Sequence, residues 1–236
     1  MRAVAASKRL PLSLVRRNDA HRFIASKYGE SVLTRIADSN RHLADIFKLD
    51  IATNDRTLVE SGIPAGIDVH ELVFGLPYAH VVNAAFTHPH PLGSRFNGPD
   101  RGAWYCAFEI ETSMAEIAFH KTVDLLEVGV LEDDVTYDDY TADISGQLHD
   151  LRGGKRFAKY LDPNSYVASQ ALAEELLAAG SLGVIYPSVR NSAGTCIAAF
   201  RPAIVANVQR RGTYRFIWSG EPQPRISPVQ PASSPR

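Results

Sequence analysis

Five polar side chains in this sequence are of types, and lie in stretches, that can do chemistry. Arg95 sits in GSRFNGPDRGAWYCAF, a strand-like run that leads into a Gly/Pro/Asp turn, and Tyr105 lies on the strand that returns. Glu116 stands on the helix-patterned ETSMAEIAFH, and Ser188 and Arg190 stand at a strand's end in GVIYPSVRNSAGTCIAAF. A guanidinium is a planar fork of donors for anionic or sugar oxygens, a geometry that Lys does not reproduce. A tyrosine ring offers its face to a flat cation, a contact worth about 0.5–2 kcal/mol. A carboxylate stabilises positive charge that builds at a reacting centre, and a serine hydroxyl orients its neighbour. Arg190, two residues along the strand from Ser188, is expected on the same side, either against a phosphate or as a structural residue. Each also has a plainer role: Arg in a surface ion pair, Tyr in the core, Glu complementing a helix dipole.

Other candidates carry less. His80, His88, His90 and His120 invite a metal reading, above all His88 and His90 in THPHP. Their spacing lacks the cysteine or carboxylate partners of a usual zinc site, and the flanking prolines indicate an exposed rigid loop, so no metal is expected. His120 follows Glu116 by one helical turn and is expected at the same pocket's edge. The acidic run LEDDVTYDDY reads as a solvated loop without calcium-loop spacing. GxGxxG, the Walker-type GxxxxGK[ST], GxSxG and HExxH are all absent. Cys106 and Cys196 lie in apolar stretches and read as buried thiols in a reducing compartment.

The elements that must position these residues follow from the patterning. With 236 residues and a net charge of −1, the chain is an ordinary globular protein without the excess Lys and Arg of a general nucleic-acid binder. It has neither a signal-like apolar run nor a membrane-length one, so a soluble cytoplasmic protein is expected. Helical spacing predicts two helices over Asp19–Leu49, in an N-terminal helical extension of residues 1–69 that ends near SGIPAGID. Strands are predicted at HVVNAAF, AWYCAFEI, LLEVGVL, LGVIYPSV, TCIAAFRP and YRFIW. Two helices lie between them. One starts at Thr112 or Ser113 with Glu116 as capping-box partner, and one runs from Ser165 to a cap at Gly180. Strands and helices without strict alternation indicate an α+β fold over residues 70–218. The Pro- and Ser-rich residues 219–236 read as a disordered tail.

The ordered set of RFN before a Gly-containing turn, the WYCAF strand, the ETSMAEIAFH helix, and GVIYPSVR with the downstream GTCIAAFRP resembles the RES-domain toxin family. The resemblance spans roughly His70 to Trp218. It implies a fold related to ADP-ribosyltransferases, with a mixed or antiparallel β core and flanking helices. It also implies a toxin role beside an Xre-type antitoxin, and consumption of NAD as substrate. The family's Arg, Tyr, Glu and Ser fall on Arg95, Tyr105, Glu116 and Ser188. On that reading Arg95, Tyr105 and Glu116 are catalytic, and Arg95, Tyr105, Ser188 and Arg190 bind NAD. Arg95 grips phosphate or ribose oxygens, Tyr105 faces the nicotinamide, Glu116 meets the developing ribose cation, and Ser188 orients the ribose.

The acceptor of ADP-ribose stays open at this point between phosphate, water and a protein, with NAD degradation favoured over modification of a specific cellular protein. A non-catalytic interaction module with Arg95 and Glu116 as an internal ion pair is the rival of another class. Nucleic-acid processing has only SKRL, VRR and QRR in its favour. The N-terminal extension is free to pack on the catalytic domain, form a homo-oligomer contact or meet the antitoxin.

Overall fold

In a computed structural model, residues 10–29 and 66–230 are described. The described residues open with strand β1 (Leu12–Ala25) and a single helical turn, α1 (Ser26–Gly29). After the 3-10 turn Val69–Glu71 come helix α2 (Ala79–Thr87), strand β2 (Trp104–Ala107), helix α3 (Ile110–Val128) and the long strand β3 (Glu132–Asp150). A 3-10 segment, Gly154–Tyr160, leads to helix α4 (Val167–Ala178). Strands β4 (Gly183–Pro187), β5 (Thr195–Ala199), β6 (Val205–Ser219) and β7 (Arg225–Pro228) complete the order. The α+β class is as expected. Among the described residues no helix is long and apolar enough to cross a membrane.

The strands form one seven-stranded sheet in the order β1-β2-β5-β4-β3-β6-β7, with β1 also paired to β3. That extra pairing bends the sheet back on itself. β1 runs antiparallel to β3 from Leu12↔His149 to Ala25↔Tyr137, but meets β2 only at His21↔Ala107. β3 serves two halves: its first part pairs with β6, and its end runs parallel to β4 at His149↔Val184 and Asp150↔Ile185. β1 and β2 touch at the single pair His21↔Ala107, and beside it Arg22 of β1 donates from Nη1 to the Tyr105 carbonyl of β2 at 3.0 Å.

Four sequence expectations give way, each for a physical reason. Asp19–Ala25 is strand, not helix, because Phe23 packs edge-on against Tyr214 and Phe216 of the same sheet. The remainder of the expected helical extension, residues 30–65, lies outside the described residues. HVVNAAF is helix α2: a short apolar run has no decisive period, and burying Val81, Val82 and Phe86 with Asn83 clamped to the Val73 backbone favours the helix. LLEVGVL continues α3 to Val128, and Gly129 ends it with φ of 79°, its N–H reaching the Leu125 and Leu126 carbonyls. Part of the expected disordered tail is strand β7, anchored by Ile226 against the Phe216 cluster; residues 231–236 lie outside the described residues.

The acidic run is not a loop either. It forms the first half of β3, and Asp138 and Asp139 are buried. Their charge is met by neighbours: Arg210 at 2.8 Å and Thr213 at 2.6 Å on Asp138, and His21 at 3.0 Å on Asp139. Nearer the solvent, Asp133 takes Lys121 at 2.6 Å and Asp134 takes Arg215. Carboxylates stay in a strand when each finds a donor across it.

Candidate functional site

Glu116 stands on α3, which begins at Ile110 rather than Thr112, with Glu109 as N-cap and no side-chain cap bond. Glu116 does not reach back to form the expected capping box. Instead the Ser188 hydroxyl donates to Glu116 Oε1 at 2.7 Å, and the Cys196 thiol lies 3.8 Å from the same oxygen. The donor direction is set locally: Ser188 Oγ accepts the backbone N–H groups of Arg190 at 3.1 Å and Asn191 at 3.0 Å, so its own hydrogen goes to the carboxylate.

Those bonds also turn the chain, so Arg190 is not on a strand beyond Ser188. β4 ends at Pro187, and the Ser188–Gly194 turn presses on the first turn of α3. A Cβ on Gly194 would lie 2.2 Å from Thr112 Oγ1, so only glycine allows this approach. Asn191 Nδ2 donates to Thr112 Oγ1 at 2.9 Å, and Thr112 donates in turn to Glu109, which also accepts the Thr195 N–H. This packing brings Ser188, 72 residues distant in sequence, onto Glu116.

Arg95 lies in a turn bounded by the isolated Ser94↔Asn97 bridge, not in a strand. Its side chain is buried, donates from Nη1 to the Asp162 carbonyl at 2.7 Å, and stacks on Tyr166 with Cζ 4.6 Å from the ring centre. Arg190 donates from Nη2 to the next carbonyl, Pro163, at 2.8 Å, and lies 3.3 Å over the Phe119 ring. Its Nε is enclosed without a partner. Among the described residues neither arginine forms an ion pair with Glu116 or with any other carboxylate.

Tyr105 is on β2 as expected, and its hydroxyl is committed on both sides: it donates to Asn97 Oδ1 and accepts the Phe96 N–H, both at 2.8 Å. Burial raises its pKa well above the ordinary phenol range, so it stays neutral. What it offers is its ring, packed with Phe96 and Tyr186. The charge of Glu116 is felt at His120, Tyr186 and Cys196, and that of Arg95 at Tyr105, His120 and Tyr186, so these groups share one neighbourhood. His120 is exposed at its rim, yet surrounding protein lowers its pKa against the opposing pull of Glu116, with Arg190 and Arg95 reinforcing the fall. Burial and Glu116 together push the Cys196 thiol up, leaving it an inert wall.

The structure thus joins Glu116 directly to Ser188 and, through one turn, to Arg190. Arg95 and Arg190 meet on the Asp162–Pro163 segment. Sequence reasoning missed Tyr166, Phe119 and the two carbonyls that hold the guanidiniums. Phe119 had a signal, three residues after Glu116 on one helix; the others reach the site only through the fold.

The RES domain family model matches residues 69–219, which include Arg95, Tyr105, Glu116, Ser188 and Arg190. Three chains of solved structures match. One belongs to the crystal structure of the M. tuberculosis MbcT–MbcA toxin–antitoxin complex, at 18% identity and a TM-score of 0.40, with 56% of this chain and 73% of that chain covered. No curated protein matches the sequence.

Proposed function

The chain belongs to the RES domain family, and from that premise we propose that it is a toxin that cleaves the nicotinamide–ribose bond of NAD, restrained by an Xre-type antitoxin and acting in the cytoplasm. The observation that carries the reading is the state of Glu116. It is hydrogen-bonded by Ser188 yet has no cationic partner among the described residues, in a neighbourhood that holds two guanidiniums turned towards backbone carbonyls. If the cluster were only structural, the carboxylate and the arginines would be expected to neutralise each other.

In the proposed step the bond from C1′ of the ribose to the nicotinamide nitrogen breaks. Its electron pair leaves with the nicotinamide, which becomes neutral, and positive charge builds on the ribose. The Glu116 carboxylate stabilises that charge, while Ser188 holds Oε1 and leaves Oε2 for the sugar. Arg95 and Arg190 meet the diphosphate, and the Tyr105 ring flanks the nicotinamide. An acceptor oxygen then bonds to C1′ and loses its proton. We assign phosphate or water as that acceptor, giving NAD degradation; transfer to a protein side chain is the same chemistry with another nucleophile. No metal has a part in these steps.

Purified protein freed of antitoxin, incubated with NAD with and without phosphate, is expected to release nicotinamide, and a Glu116→Ala variant is expected to release none. Dependence on phosphate would assign phosphorolysis. Equal inertness of both proteins, together with failure to bind NAD, would make the chain a non-catalytic relative.

A further inference from the structure

A cavity of about 220 Å³ opens beside β2, where β1 meets it only at His21↔Ala107. Its wall joins residues from outside the family match, Arg22 and Tyr28, to His80 and His88 of the α2 region, His90 and Tyr105. Among the described residues no aspartate or glutamate lines it.

Arg22 is a cation in search of an anion. Its Nη1 donates to the Tyr105 carbonyl at 3.0 Å, its guanidinium lies 4.8 Å over the Trp104 ring, and its Nε is enclosed with no partner. No carboxylate pairs with it among the described residues. Desolvation lowers its pKa to about 10. A charge taken out of water without a counter-ion is costly, and one ring face offsets only part of that cost.

The two loop histidines present complementary groups. The single hydroxyl hydrogen of Thr87 is spent on the Asn83 carbonyl at 3.0 Å, so the 2.9 Å contact with His88 has Nδ1–H as donor, and Nε2 of the neutral ring is an acceptor. His90 Nδ1 accepts the Leu92 N–H at 3.2 Å, so its Nε2 carries the hydrogen. One donor ring, one acceptor ring and a guanidinium suit the oxygens of a phosphate that carries a single proton. The cavity is smaller than the roughly 300–1,000 Å³ of a site for a whole small molecule; it fits a phosphate group with a short attachment.

We propose that this cavity is a binding site for the phosphate end of a small molecule, held by Arg22, His88 and His90. Its ligand is a phosphorylated compound separate from the dinucleotide whose diphosphate Arg95 and Arg190 meet. The inference does not depend on NAD cleavage, since phosphate binding would survive an inert Glu116.

The test is calorimetric titration of inorganic pyrophosphate into the full chain carrying Glu116→Gln, alone and with His88→Asn/His90→Asn or Arg22→Gln added. Both histidines are exposed, so the double variant keeps its fold even where Arg22→Gln does not. Binding is expected, weakened about tenfold or more by the histidine pair, the loss of charge-assisted hydrogen bonds. The titration is then repeated in saturating NAD: binding that persists supports the separate site, and full competition assigns the pyrophosphate to the dinucleotide's own diphosphate site and overturns the proposal. Absence of pyrophosphate binding, or an affinity untouched in the folded histidine variant, overturns the proposal.

Discussion

Two clusters in this molecule have the same composition, one glutamate and two arginines, and opposite arrangements. At the first, Glu71 takes both nitrogens of Arg101 at 2.8 Å and is also bonded by Arg201. Arg101 goes on to the Gly66 and Phe200 carbonyls, so the cluster ties the 3-10 turn at Val69–Glu71 to the end of β5. At the second, Glu116 is held by a serine, and Arg95 and Arg190 are stacked on aromatic rings and bonded to backbone. A carboxylate that two arginines saturate is a rivet. One that its neighbouring arginines leave unpaired keeps its charge for something else.

The largest expected effect breaks the second cluster. Glu116→Gln should lower nicotinamide release from NAD by about 10²–10³-fold, the scale of losing one electrostatic stabiliser of a transition state, and should leave the unfolding midpoint nearly unchanged. The converse variant, Glu71→Gln, should do the reverse. It strands Arg101, whose side chain is 8% exposed, and should cost about 2 kcal/mol, less than the ~3–5 of a fully enclosed pair because 24% of Glu71 is open to water. Activity per folded molecule should survive. If Glu71→Gln abolished turnover in folded protein, the division between the clusters would be wrong.

Acid sharpens the same contrast. The Arg101 hydrogen bonds, seconded by Arg201, depress Glu71 to about 2 in the folded chain, against about 4.3 for an unfolded glutamate. A depressed carboxylate contributes its stability in full above the unfolded value and loses it as pH falls through the folded one. The advantage of the wild type over Glu71→Gln in urea unfolding should therefore be full at pH 6, shrink below about pH 4.5, and be nearly gone at pH 2.

Neither arrangement is legible in the sequence, though much around them is. The helix bearing Glu116 and strands β2, β4 and β5 are read correctly because their patterns are long or strongly β-branched and bounded by turn residues. The five candidate residues were legible as an ordered set, not as a geometry. Arg201 reaches Glu71 across 130 residues of sequence, and Arg190 is turned from Glu116 by the Ser188–Gly194 turn and its contact with Thr112. Likewise the LEDDVTYDDY run gave no sign of strand, because the arginines that neutralise it lie more than 70 residues away, on β6. Helical spacing misled at β1, where Phe23 is placed by partners on β6 that local periodicity does not see.

Ser188 tests whether Glu116 is positioned or merely present. Ser188→Ala removes a hydrogen bond to a charged oxygen and should lower kcat about tenfold. The lost acceptor of the Arg190 and Asn191 N–H groups should also lower the unfolding midpoint slightly, while KM for NAD should change less than kcat because Arg95 is untouched. A matching rise in KM with unchanged kcat would instead put Ser188 on the ribose in the ground state, the role first expected of it.

The smallest effect concerns Arg190, whose guanidinium spends one nitrogen on Pro163 and its face on Phe119. Lysine keeps the charge but neither the fork nor the flat face. If Arg190 serves the diphosphate, Arg190→Lys should raise KM about threefold at constant kcat, a loss under 1 kcal/mol. If it only props the Ser188 turn against α3, the same change should lower the unfolding midpoint and kcat together, because Ser188 would drift from Glu116. The ratio of the two kinetic constants therefore says whether the second cluster has two arginines free for a ligand, or only Arg95.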